Sequence, residues 1–163
     1  IIAGRAMVEG RRMPLLIDGH NLIAKLPDLA LDDPEDEARL VERVRRYCRR
    51  HRRRATVVVD AGLPGGRSQE LSSAQVEVVF ASVTSSADAV IAARLRKARD
   101  PRGLIVVSSD RAVQEAARAR GARVVPSEAF AAELTTERAG GTADEEKPQV
   151  GDVDEWLDLF GGE

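Results

Sequence analysis

Leu15-Leu16-Ile17-Asp18-Gly19-His20-Asn21-Leu22-Ile23 is the stretch that decides the fold. Three apolar residues run into an aspartate, a glycine and, two positions on, an asparagine, and apolar residues then resume. The pattern predicts a short buried strand that stops at Asp18, with Gly19 letting the backbone turn sharply into the next element. A carboxylate at the end of a buried strand is costly unless hydrogen-bond donors or a metal ion meet it there.

The same punctuation recurs down the chain. Ala55-Thr56-Val57-Val58-Val59 predicts a second buried strand, and it ends at Asp60. Val76 to Phe80 reads as a third, peripheral strand. Thr84-Ser85-Ser86-Ala87-Asp88 sets capping hydroxyls before the apolar positions Ala87, Val90, Ile91 and Leu95, so Asp88 falls in the first turn of a helix. Leu104 to Val107 is a fourth strand running through Ser108-Ser109 into Asp110. An alanine-rich helix from Arg111 to Arg120 is stopped by Gly121, and Val124-Val125 is a short fifth strand. Ser127 is expected to cap a last helix to about Glu137, anchored by Phe130 and Leu134.

Between the first two strands, an acidic loop containing Pro34 leads into a helix ending near His51. Leu40, Val41, Val44, Tyr47 and Cys48 form its single apolar stripe. Gly62-Leu63-Pro64-Gly65-Gly66 predicts a loop. Strands alternating with helices at this spacing predict an α/β fold with a parallel sheet covered on both faces. With strands numbered along the chain, an order of about 3-2-1-4-5 makes the first strand central and gathers all four aspartates at the carboxyl edge, where open α/β sheets bind ligands.

At 163 residues the chain reads as one domain, 13–137, with an extension at 1–12, a linker at 138–150 and an acidic amphipathic segment at 151–163. In that last segment Val153, Trp156, Leu157 and Phe160 share a helical face, suited to docking on its own domain or in a partner's groove. No run approaches the roughly 18 apolar residues of a membrane span, and residues 1–12 hold no sustained apolar core of a signal peptide. The single Cys48 excludes an internal disulfide and all-cysteine zinc sites, which places the expected location in the cytoplasm. The net charge of -2 hides a division. Residues 138–163 carry eight acids against Arg138 and Lys147, a balance of -6, which leaves 1–137 with 23 basic and 19 acidic residues, a balance of +4.

Each aspartate has a plain structural explanation: Asp110 as a helix N-cap, Asp88 as a first-turn acid favoured by the helix dipole, Asp60 as a turn former. Together those explanations leave unexplained why nearly every strand ends in Asp. Converging carboxylates raise one another's pKa and are stable mainly around a divalent cation. Carboxylate ligands point to Mg²⁺ or Mn²⁺, and two histidines supply a zinc site poorly. Such a site activates water against a phosphodiester. Asn21, Ser108 and Ser109 sit near this edge as polar supports or phosphate donors. His20 reads as an outward-facing neighbour. Nine basic residues lie between Arg39 and Arg54 against Glu42 alone, and Arg46, Arg49, Arg50 and Arg53 are the candidate phosphate contacts.

At these residues the chain resembles the NYN group of PIN-like nucleases, and more closely its YacP-like (Rae1-type) branch. The motifs are Leu16-Ile17-Asp18-Gly19-His20-Asn21-Leu22-Ile23, Val58-Val59-Asp60-Ala61, Val76-Glu77-Val78-Val79-Phe80, Ser86-Ala87-Asp88-Ala89-Val90-Ile91 and Val106-Val107-Ser108-Ser109-Asp110. They cover about Pro14 to Leu134. The resemblance implies a three-layer α/β/α PIN-like fold and metal-dependent endoribonuclease activity. It implies catalytic roles for Asp18, Asn21, Asp60, Asp88 and Asp110, and action on mRNA associated with the ribosome. His20 stands where this branch often has tyrosine, and Ser86 where it often has threonine. The alternative function is a non-catalytic RNA- or ribosome-binding module on the same fold.

Overall fold

The computed structural model describes residues 13–30, 33–60, 66–82 and 84–139. The extension 1–12, the loop 61–65, nearly all of the linker and the amphipathic C-terminal segment lie outside them. The chain runs β1 (Leu15–Asp18), α1 (Gly19–Ile23), α2 (Pro34–His51), β2 (Ala55–Val59), β3 (Gly66–Arg67), β4 (Val76–Phe80) and α3 (Ala87–Lys97). A 3₁₀ turn at Pro101–Gly103 leads to β5 (Ile105–Val107), α4 (Arg111–Ala119), β6 (Arg123–Val125) and α5 (Ser127–Ala139).

One six-stranded sheet has the order β3-β4-β2-β1-β5-β6. All neighbours are parallel except β3, which pairs antiparallel with β4. Leaving out the two-residue β3, the order is the 3-2-1-4-5 expected from the sequence. β3 also makes β4 an inner strand rather than a peripheral one, and Val76 and Val78 are fully buried.

Period-two alternation sorts the strand residues onto two cores. Leu15, Ile17, Val57, Val59, Ile105 and Val107 pack under α1, α2 and α5, whereas Leu16, Val58 and Val106 pack under α3 and α4. The result is a three-layer α/β/α sandwich. The apolar stripe of α2 is buried as expected, Cys48 included, and Phe130 and Leu134 anchor α5.

Gly19 is required for closeness rather than for an unusual backbone angle. A Cβ there would stand 2.9 Å from the Val58 carbonyl oxygen and 3.2 Å from a Val57 methyl group. The glycine lets α1 start directly against β2, which places Asn21 one turn from Asp18.

Candidate active site

Asp18 ends the central strand and is only 5% exposed. Its Oδ2 accepts a hydrogen bond of 2.9 Å from the buried Ser108 hydroxyl, and the same oxygen of Ser108 accepts the Asp110 backbone N–H at 3.0 Å. Ser108 therefore ties the ends of β1 and β5 together. Burial raises the Asp18 pKa above its ordinary value of 3.8. The Ser108 bond and the Asn21 N–H pull it down, and the charges of Asp88 and Asp110 push it up.

The other acids reach the same edge by different routes. Asp110 caps α4, its Oδ1 accepting from Ala112 N at 2.8 Å and Val113 N at 3.2 Å, so the capping explanation holds. That cap engages one oxygen and leaves Oδ2 without a hydrogen bond among the described residues. Asp60 does more than shape a turn: its Oδ1 accepts the Ala87 N–H at 2.7 Å, closing the start of α3 together with Ser86, whose hydroxyl takes Ala89 N. Asp88 lies in the first turn of α3. Its carboxyl loses enough water to its surroundings to raise its pKa, and the charges of Asp110 and Asp60 add to the rise. Asp18, Asp60, Asp88 and Asp110 thus form one electrostatically coupled group. Among the described residues no basic side chain is ion-paired with Asp18, Asp88 or Asp110.

Several expected roles change. Asn21 Oδ1 accepts from Ser109 N at 2.8 Å and from Ser127 Oγ at 2.6 Å, so this amide oxygen clamps α1 to the end of β5 and the start of α5. Ser127 is the first residue of α5 and spends its hydroxyl on Asn21, not on a cap; nothing in the sequence signalled that contact. Ser108 is buried beneath Asp18, out of reach of a phosphate. Ser109 Oγ accepts Ser127 N at 2.9 Å and hydrogen-bonds Glu128, so it too is already engaged. His20 is half-buried rather than outward-facing, its Nε2 2.7 Å from Glu37 and its Nδ1 3.9 Å from Asp60. A groove of about 320 Å³, lined by Asp88, Ile91, Ala92, Ala112, Val113 and Ala116 among others, runs beside this edge between α3 and α4.

The arginines expected to bind substrate lie elsewhere. In a parallel β-α-β unit the connecting helix returns the chain to the amino edge. The 18 residues of α2 span about 27 Å, carrying Arg46, Arg49 and Arg50 towards the end of the sheet opposite the aspartates. Arg53 is buried, 2% exposed, with Nη1 donating to the Met13 carbonyl at 2.6 Å. It cannot meet a phosphate. Its burial continues the alternation of Ala55, Val57 and Val59 back by two residues, a period that was present in the sequence.

The donor set suits a hard cation that keeps its water. Among the described residues no three His, Cys, Asp or Glu side chains are grouped closely enough to ligate one ion directly. Asp18, Asp88 and Asp110, expected to hold a metal with water filling the rest of its coordination, are thus not all within direct ligating reach of one point. One or two carboxylates plus water is the manner of Mg²⁺, and Asp18, Asp88 and Asp110, coupled and without a basic partner among the described residues, fit it.

A mostly parallel sheet in an α/β/α sandwich, with aspartates clustered at its carboxyl edge, is the arrangement expected above of a nuclease-type domain. The model of the YacP-like NYN domain matches residues 15–155, and the chain belongs to that family. Crystal structures of Rae1 (YacP) from Bacillus subtilis are similar to it. A tryptophan-to-leucine mutant aligns with a TM-score of 0.64 at 26% identity, over 79% of each chain. A second Rae1 structure aligns at 0.63 and 27%, over 79% of this chain and 78% of that one. No curated protein matches the chain. Membership of this family supports a nuclease-type function directed at RNA. No helix among the described residues is long and apolar enough to cross a membrane.

Proposed function

We propose that the protein is a metal-dependent endoribonuclease of the cytoplasm. The observation that carries this reading is Asp18: a buried carboxylate at the end of the central strand, coupled to Asp88 and Asp110 and left without a basic partner among the described residues. Asp18, Asp88 and Asp110 are the residues to hold Mg²⁺ or Mn²⁺, directly or through water. The ion, when bound, lowers the pKa of water and offsets charge on the phosphoryl oxygens.

The chain's own residues do the rest. The Ser108 hydroxyl and the Asn21 N–H hold the Asp18 carboxylate in place at the end of β1. Asp110 is oriented by the first turn of α4 and Asp60 by that of α3, so neither needs to reorganise during reaction. Asn21 acts as a positioning residue, holding α1 so that Asp18 and Ser108 stay in register. With water as nucleophile, the products carry a 5′-phosphate and a 3′-hydroxyl. The resemblance to the Rae1-type branch supports mRNA on the ribosome as the substrate.

The test is cleavage of a 5′-labelled RNA and of translating ribosomes with Mg²⁺ or Mn²⁺. Chelator should stop both reactions, and Asp18→Asn or Asp88→Asn should lower the rate by at least about 10²-fold, the loss typical of removing one electrostatic stabiliser. Full cleavage by both variants would overturn the assignment.

A further inference from the structure

Four arginines at the amino edge have no part in the site. Arg49, Arg50, Arg52 and Arg54 are exposed, and none forms an ion pair among the described residues. Farther up α2, by contrast, Arg39, Arg43 and Arg45 are held by Asp36, Asp28 and Glu42. Arg49 and Arg50 lie in the last turn of α2, Arg52 is the left-handed residue that ends it, at φ 56°, and Arg54 directly precedes β2. They lie at the amino edge because β2 begins there, and Leu15 N donates to the Arg54 carbonyl at 2.9 Å. Cations gathered without counter-charges favour an anionic occupant.

A candidate occupant starts close by. α5 shares the face of α2, with the Tyr47 and Phe130 rings edge-to-face at 5.0 Å. It begins at the carboxyl edge, where Ser127 meets Asn21, and its 13 residues span about 20 Å, so the backbone at Ala139 arrives at the amino edge. From there the chain continues for 24 residues carrying eight acids against Lys147. Asp144 lies five residues beyond the helix, within about 17 Å of extended chain.

We propose that segment 140–163 docks on the patch of Arg49, Arg50, Arg52 and Arg54 in the same molecule, as an intramolecular competitor for polyanions. The docking rests on charge and chain geometry alone, and only its consequence for RNA rests on the function proposed above. A tethered acidic segment acts at millimolar effective concentration, so RNA must displace it to use this patch, and added salt loosens it.

Trp156 is the only tryptophan of the chain and lies within the segment, so acrylamide quenching of its fluorescence in the full-length protein reads the docking without RNA. Quenching should rise about two-fold on going to 1 M salt and equally in Arg49→Glu/Arg50→Glu, whose own salt response disappears. Adding Asp152→Lys, Asp154→Lys and Asp158→Lys to that variant should restore protection. Affinity for a fluorescein-labelled single-stranded RNA should rise when the same three acids are changed to Asn in the parent. Unchanged Trp156 quenching in the arginine variant, with circular dichroism intact, overturns the proposal. If that variant loses RNA affinity while Trp156 is unaffected, the patch belongs to RNA and the proposal also falls.

Discussion

Asp18 meets two demands that pull apart. Burial beneath the sheet edge favours its neutral form, while any role beside a cation requires the charge. Its folded pKa is raised, as is that of Asp88. The sign of the linkage follows: the stabilising contribution is fully present below the unfolded value of 3.8 and is lost as pH rises through the raised folded value. At neutral pH without metal, the ionised Asp18 therefore costs stability. Asp18→Asn keeps the shape and an acceptor for Ser108 while removing the charge. In chelator its unfolding midpoint should lie above that of the parent at pH 7, and the difference should shrink to nothing in acid. Thermal melts at the two pH values check this; a variant less stable than the parent at pH 7 would show that the carboxylate is already compensated. A site that is more stable without its charge is one kept for function.

At the scale of elements, α1 is five residues long and too short to hold itself together. It is fixed at its start by Gly19 against β2 and at its middle by the Asn21 clamp. Asn21→Ala would leave the Ser109 N–H and the Ser127 hydroxyl without their acceptor, a loss of about 1–3 kcal/mol. Cleavage should fall with it through kcat rather than KM, because Asn21 holds Asp18 and Ser108 in register. Denaturant unfolding and steady-state kinetics measure the two effects. Asn21→Ser, able to accept one of the bonds, should recover part of both. The elements themselves were largely legible: buried apolar runs and helical stripes located β1, β2, β4, β5 and every long helix. The two residues Gly66-Arg67 are too few to carry any period, so β3 was not. Which partner each polar group takes was least legible, since Ser127 and Ser109 bond across 18 residues or more. The displacement of the arginines to the far edge, however, follows from right-handed β-α-β logic that the sequence already contained.

The whole molecule separates its charges along the sheet axis. The carboxyl edge gathers Asp18, Asp60, Asp88 and Asp110, and the amino edge carries Arg49, Arg50, Arg52 and Arg54, which form no ion pair among the described residues. A net charge near zero therefore says little about how a polyanion meets the protein. RNA drawn to the basic end must also bring a phosphate to the acidic end, and there the carboxylates repel it until a cation intervenes. Binding and cleavage should accordingly respond in opposite directions to the same substitutions. In chelator, the double variant Asp18→Asn/Asp88→Asn should bind a labelled RNA more tightly than the parent, by roughly five-fold for about 1 kcal/mol of relieved repulsion. In Mg²⁺ the order should invert, since only the parent gathers the ion that offsets its acids. Fluorescence anisotropy at constant ionic strength separates the two cases. Equal affinity of the two proteins in chelator would mean that the phosphate path avoids the carboxyl edge, and the aspartates would then have to be assigned to folding rather than to RNA.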